Sequence, residues 1–189
     1  MTAELLTVGH GTHPAGEFAD LLRGAGVVSL VDVRIAPGSR RYPHFGLDAL
    51  DEWLPQTGIE YRWERRLGGF RKVAPDSPDI ALRNTSFRAY AGYMRTAEFR
   101  DALAGVLAEA RARRTVVMCS ESVWWRCHRR LIADAVELLD GAVVRHLMPD
   151  GRLADHPATE GVRVVGDALV YDTVASPPPT GSRASRRSG

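Results

Sequence analysis

The four residues Thr115 to Met118 constrain this chain more than any other stretch. Each is β-branched or apolar and nothing alternates, which is the pattern of a strand covered on both faces. Such a strand belongs inside a mainly parallel sheet with helices packed above and below it. Chemistry begins where it ends. Cys119 and Glu121 follow directly, and a loop then carries Trp124 and Trp125. Cys127, His128 and Arg129 open a helix that runs on through Leu131, Ile132, Val136 and Leu138. Ligands of open α/β sheets bind at the carboxyl ends of the strands, facing helix N-termini, so this segment locates a candidate site.

The rest of the chain supplies neighbours for that strand. Leu5 to His10 reads as a first strand running into the turn Gly11-Thr-His-Pro14. Pro14 then opens a helix through Phe18, Leu21 and Leu22 that Gly24 and Gly26 end. Val27 to Val33 is a second apolar strand with Asp32 and Arg34 at its carboxyl end, and the loop after it carries Ser39, Arg40 and Arg41. A short helix over Leu47 to Leu54 stops before Pro55, and Ile59 to Trp63 alternates as a third strand. The polar stretch reaching Asn84 reads as a long surface loop, of the kind that often forms a lid. Ser86 to Arg113 has helical spacing with a break near Arg95-Thr96, where Thr96 suits a fresh N-cap.

Ala142 to Leu147 adds another strand. Val162 to Val165 and Ala168 to Tyr171, joined by Gly166-Asp167, predict a small hairpin at the sheet edge or over the site. The expected fold class is therefore α/β: a three-layer single domain over residues 1–175, with a mainly parallel sheet and helices on both faces. Residues 176–189, rich in Pro, Ser and Arg, bury too little apolar surface to order and are expected to be a disordered tail. Right-handed crossovers bring the carboxyl ends of the first, second and central strands to one edge. That gathers His10, Asp32, Arg34, Cys119 and Glu121.

Composition narrows the partners. The 25 basic and 23 acidic side chains leave a net charge of +2, so charge gives no argument for a nucleic-acid partner, although one stays open. Lys72 is the only lysine, and the remaining cations are arginines, which suit bidentate contacts to phosphate or carboxylate. No apolar run approaches the ~18 residues of a membrane helix, and no basic and apolar leader opens the chain. A cytoplasmic location without a membrane partner is expected. There the two cysteines are thiols, ligands, nucleophiles or a redox pair rather than a structural disulfide.

Several side chains suit catalysis. Cys119, at a strand end with arginines nearby, is a candidate nucleophile; a buried inert thiol is the competing reading. Asp32 and Glu121 are the carboxylates expected at the cleft, either able to act as a base, with an ion pair to Arg34 or Arg129 as the bland role. His10 is a candidate base or donor. Ser39, Arg40, His128 and Arg129 suit an anion pocket, and Trp124 and Trp125 offer faces for a base or sugar or, equally, a packing plug. A metal on Cys119, Cys127 and His128 is weakly signalled, because their spacing matches no zinc knuckle or CxxC pair. No dinucleotide or P-loop glycine motif occurs.

Taken in order, Thr7-Val-Gly-His10, Val31-Asp-Val-Arg34 with Pro37, Ser39 and Arg40, Leu67-Gly-Gly69, Tyr90-Ala-Gly-Tyr-Met-Arg-Thr96, Cys119-Ser-Glu121, Cys127-His-Arg129 and Leu131-Ile-Ala-Asp134 resemble the DUF488 family over roughly residues 3 to 156. The resemblance implies a shared α/β fold and a shared pocket that includes Tyr90, and no particular reaction. The family's first block usually reads Gly-His-Ser, and Gly11 stands in the serine's place here.

These readings converge on a small hydrolase or group transferase acting on an anionic, nucleotide-like or nucleic-acid-derived substrate. A metal- or thiol-based sensor or binding module, or a nucleic-acid-repair accessory protein, is the alternative.

Overall fold

The computed structural model describes residues 3–173; the expected domain end at residue 175 and the tail at 176–189 lie outside the described residues. Six strands form the main sheet: β1 (Glu4–Gly9), β2 (Ser29–Asp32), β3 (Glu60–Trp63), β4 (Thr115–Cys119), β5 (Val143–Leu147) and β6 (Leu153–Asp155). Their order is β3-β2-β4-β1-β5-β6, all parallel except β6, which runs antiparallel to β5. The doubly apolar run Thr115–Cys119 lies between β1 and β2 and is buried at every position.

Helices α1 (Ala15–Gly24), α2 (Leu47–Trp53), α3 (Thr85–Met94), α4 (Ala97–Ala112) and α5 (Arg129–Ala135) divide between the two faces. Alternation along β4 sets the division, because successive side chains point to opposite faces. Val117 packs with Leu5, Val31, Tyr90, Phe99, Leu103 and Ile132 beneath α3, α4 and α5. Val116 and Met118 pack with Leu6, Val8, Leu30, Phe18, Leu22 and Leu50 beneath α1 and α2.

The helical stretch from Ser86 breaks at the expected place. Asn84 caps α3 by accepting from the Ser86 N–H at 2.8 Å, and Thr96 caps α4 by accepting from the Phe99 N–H at 3.3 Å. α5 continues as one π-helical turn, Val136–Asp140, stopped by Gly141 at φ +78°.

The C-terminal hairpin, β7 (Val162–Val165) with β8 (Ala168–Tyr171), forms where the alternation predicts it but not at either expected location. It is a separate sheet packed on α3, and β6 holds the main-sheet edge beside β5. The cause is a buried carboxylate in the long loop. Asp79 accepts from the Tyr171 N–H at 3.1 Å and pairs with Arg95 at 2.7 Å, while Arg95 also donates to the Leu169 carbonyl at 3.0 Å.

Candidate functional site

β1, β2 and β4 end side by side, and a cavity of about 610 Å³ opens there. His10, Arg34, Ser39, Tyr90, Cys119, Glu121, Cys127 and His128 line it, together with Phe70, Ser122 and Arg126. Three distant segments therefore meet around one hollow, of a size usual for small-molecule sites.

At its floor lies a thiol centre. The His128 Nε2 is 3.1 Å from the Val33 carbonyl oxygen, which can only accept, so Nε2 carries a proton and Nδ1 is the ring nitrogen that faces the sulfurs. Nδ1 is 3.6 Å from the Cys127 Sγ and 3.9 Å from the Cys119 Sγ, and the three atoms lie within 4.8 Å of one another. Tyr90 packs edge-on to the His128 ring at 4.9 Å and donates to the Leu67 carbonyl at 2.6 Å, while Gly69 crosses the same ring.

Arg129 reaches one of the two sulfurs. Its side chain is 1 % exposed and, among the described residues, forms no ion pair with a carboxylate. Its Nη2 donates to the Glu121 carbonyl, its Nη1 lies 3.5 Å from the Thr7 hydroxyl, and its Nε donates to the Cys127 Sγ at 3.4 Å. A buried guanidinium is costly without an anion, and the Cys127 sulfur is the group in contact that can supply one. Burial opposes a thiolate at Cys127, but the hydrogen bond from Cys119, then His128 and Arg129, outweigh it and hold that thiol well below its usual range. The same hydrogen bond, reinforced by burial, pushes Cys119 up. The Arg129 contact therefore favours negative charge on the Cys127 sulfur.

Asp32 reaches this region without entering the cavity. Fully buried, it accepts from the Arg34 Nε at 2.8 Å and the Tyr61 hydroxyl at 2.9 Å and pairs with the Arg34 Nη2. With its oxygens occupied, it positions Arg34. Arg34 in turn donates from Nη1 to the His10 Nε2 at 3.3 Å, and the His10 Nδ1 donates to the Gly11 carbonyl at 3.0 Å, which gives a neutral tautomer stacked on Phe45 at 4.1 Å. Glu121 is exposed on the cavity wall.

Gly9 and Gly11 let the wall close. A Cβ at Gly9 would run into the Glu121 carbonyl, and one at Gly11 would meet the Ser122 hydroxyl, so a serine hydroxyl already occupies that space.

Other expected ligand residues lie elsewhere. Arg40 is exposed outside the cavity lining, and Arg129 is behind it. Trp125 is exposed nearby, also outside the lining. Trp124 lies flat on His146, rings 4.2 Å apart, so that face is taken by packing. Behind Trp124 runs a buried chain that sequence reasoning missed. Thr7 Oγ1 and His146 Nδ1 are 2.7 Å apart, His146 Nε2 and His156 Nδ1 3.0 Å, and His156 Nε2 and Asp134 Oδ1 2.9 Å. Asp134 also accepts from the Tyr171 hydroxyl at 3.0 Å. The one legible signal was His146, a polar residue inside an apolar strand; His156 offered none.

Two of these histidines make stability depend on pH. Burial and then Arg34 push His10 down to about 4, and burial and then His156 push His146 down to about 3. An unfolded histidine takes up its proton near pH 6.5, roughly its unperturbed value, so below that pH the unfolded chain binds protons that the folded chain refuses. Stability is therefore complete above pH 6.5 with respect to these groups and falls towards pH 4 and then 3. Thermal melts should decline from pH 6.5 to 5, less steeply in a His146→Gln chain; a flat profile over that window would contradict the buried neutral assignment.

A parallel α/β sheet with a paired thiol centre and a buried arginine at its strand ends defines the class of molecule. The chain belongs to the family described as a domain of unknown function, DUF488, whose model matches residues 14–136. That span includes the Cys119 to Arg129 segment and leaves the Thr7 to His10 block before it. No curated protein and no solved structure matches the chain. Among the described residues, no helix is long and apolar enough to cross a membrane.

Proposed function

We propose that this protein is a thiolate-dependent group transferase or hydrolase acting on a small anionic ligand. The observation that carries the reading is the buried Arg129, which has the Cys127 sulfur against its Nε and no carboxylate partner among the described residues. Cys127 is the nucleophile, and attack on an electrophilic carbon or phosphorus releases a leaving group that takes a proton. His128, with Nδ1 between the two sulfurs, holds or moves that proton. Arg34 and Arg126 favour an anion at the wall, and Phe70 and Phe87 supply apolar faces suited to the ring of a nucleotide-like ligand. Glu121, exposed in the same cavity, remains the candidate general base.

The test is a covalent intermediate. With p-nitrophenyl acetate and p-nitrophenyl phosphate as probes, a burst of about one nitrophenolate per chain is expected from at least one of them. The transferred group should be found on Cys127 by mass spectrometry, and Cys127→Ser should abolish the burst. Label on Cys119 in the unmodified chain would overturn the assignment of roles.

A metal centre on the same atoms is the second reading. The specific observation favouring it is the His128 Nε2–H anchored on a backbone carbonyl, the usual outer contact of a metal-bound imidazole, with two sulfurs beside Nδ1. Zinc at one equivalent per chain after dialysis, lost in Cys127→Ser, would replace the thiolate mechanism with a cation held by Cys119, Cys127 and His128 and open to the cavity.

A further inference from the structure

Cys119 and Cys127 are both unpaired thiols, eight positions apart on different elements, with their sulfurs within 4.8 Å and both on the wall of one cavity. We infer that they form a reversible dithiol/disulfide couple that exchanges with small disulfides, poised towards the reduced state by Arg129. The inference rests on the thiolate reading above and goes beyond it, because group transfer requires only Cys127.

The chemistry balances with a small disulfide such as oxidised glutathione as the co-reactant. The Cys127 thiolate attacks one glutathione sulfur, the glutathione S–S bond breaks, and one glutathione thiolate leaves. Cys119 then gives its proton to the His128 Nδ1 and attacks the Cys127 sulfur. The mixed disulfide breaks, the Cys119–Cys127 bond forms and the second glutathione thiolate leaves. Two electrons pass from the protein thiols to glutathione disulfide, which becomes two thiols. The sulfurs need only close from their present separation to about 2 Å. The hollow beside them, about 610 Å³, has room for a tripeptide at the attacking sulfur.

The direction of poise follows from charge. In the reduced state the Cys127 sulfur neutralises Arg129; in the disulfide it is uncharged, and the buried guanidinium keeps only the Glu121 carbonyl and the Thr7 hydroxyl. Oxidation therefore strands a buried cation, and a couple whose reduced form is stabilised by charge is an oxidising one. Such a disulfide is made only under oxidising ratios and is readily undone.

The experiment is equilibration of the purified chain with defined mixtures of reduced and oxidised glutathione, acid quenching, and mass analysis. The chain should lose two hydrogens at high oxidised-to-reduced ratios and regain them when the ratio is reversed, without a lasting glutathione adduct. Cys119→Ser should stop with one glutathione on Cys127, and Cys127→Ser should acquire glutathione far more slowly. Arg129→Met should shift the equilibrium towards the disulfide by about tenfold or more at a fixed ratio. Should that variant fail to fold, the unmodified chain still decides the matter. A stable mixed disulfide, or no loss of hydrogens at any ratio, would overturn the inference. Rapid alkylation of Cys127 together with no disulfide would sink this couple and leave the thiolate intact. Slow alkylation of Cys127 would sink both.

Discussion

Replacing Asp32 with alanine is expected to destabilise the fold by about 3–5 kcal/mol, the usual result of removing one partner of a buried ion pair. Asp32 is fully buried and Arg34 nearly so, and the deletion strands the guanidinium and the Tyr61 hydroxyl together. For a chain of this size that corresponds to a fall in melting temperature of roughly 10 °C. The exposed Arg23–Asp20 pair provides the contrast, since Asp20→Ala should cost under about 0.5 kcal/mol. Calorimetry on both variants checks the pair of values. If Asp32→Ala melts with the parent but loses nucleophilic turnover, Asp32 acts in the chemistry rather than by holding Arg34.

The second large effect concerns thiol reactivity. Iodoacetamide should modify Cys127 before Cys119, because the Cys119 hydrogen bond, His128 and Arg129 hold the Cys127 thiol well below its usual range against the opposing effect of burial. Arg129→Met removes the charge in contact with the sulfur, and the rate at neutral pH should fall as the thiol moves back up, with the Cys119 and His128 contributions still in place. Quenched-flow alkylation with peptide mapping reads both. Equal rates at the two cysteines in the parent chain would remove the basis for calling Cys127 the thiolate.

Both predictions concern residues that the sequence nominated and whose partners the packing chose. Strand polarity explains the success. Thr115 to Met118 had no polar face to give to water, so it had to lie between neighbours with helices above and below, and its end had to be where chain direction gathers β1, β2 and β4. The cavity position and the presence of His10, Arg34, Cys119, Glu121 and Cys127 around it follow from that alone. The choices the sequence left open have an equally plain cause. Trp124 and Arg129 look like ligand-binding groups by type, yet one is stacked on His146 and the other faces inward to a sulfur. Nothing in a one-dimensional pattern says which side of a loop an aromatic or a guanidinium will face.

Local chemistry along the chain thus determined the α/β class, the helix break at Thr96, the hairpin and the end of the sheet where reactive side chains collect. These depend on periodicity, caps and turns, all of which are read over a few neighbouring residues. Tertiary structure alone decided that Arg129 meets the Cys127 sulfur, that Asp32 serves Arg34, and that the hairpin rests on α3 by way of Asp79. Each of those outcomes turns on a buried polar group finding its partner many residues away, and the identity of that partner exists only once the chain has packed.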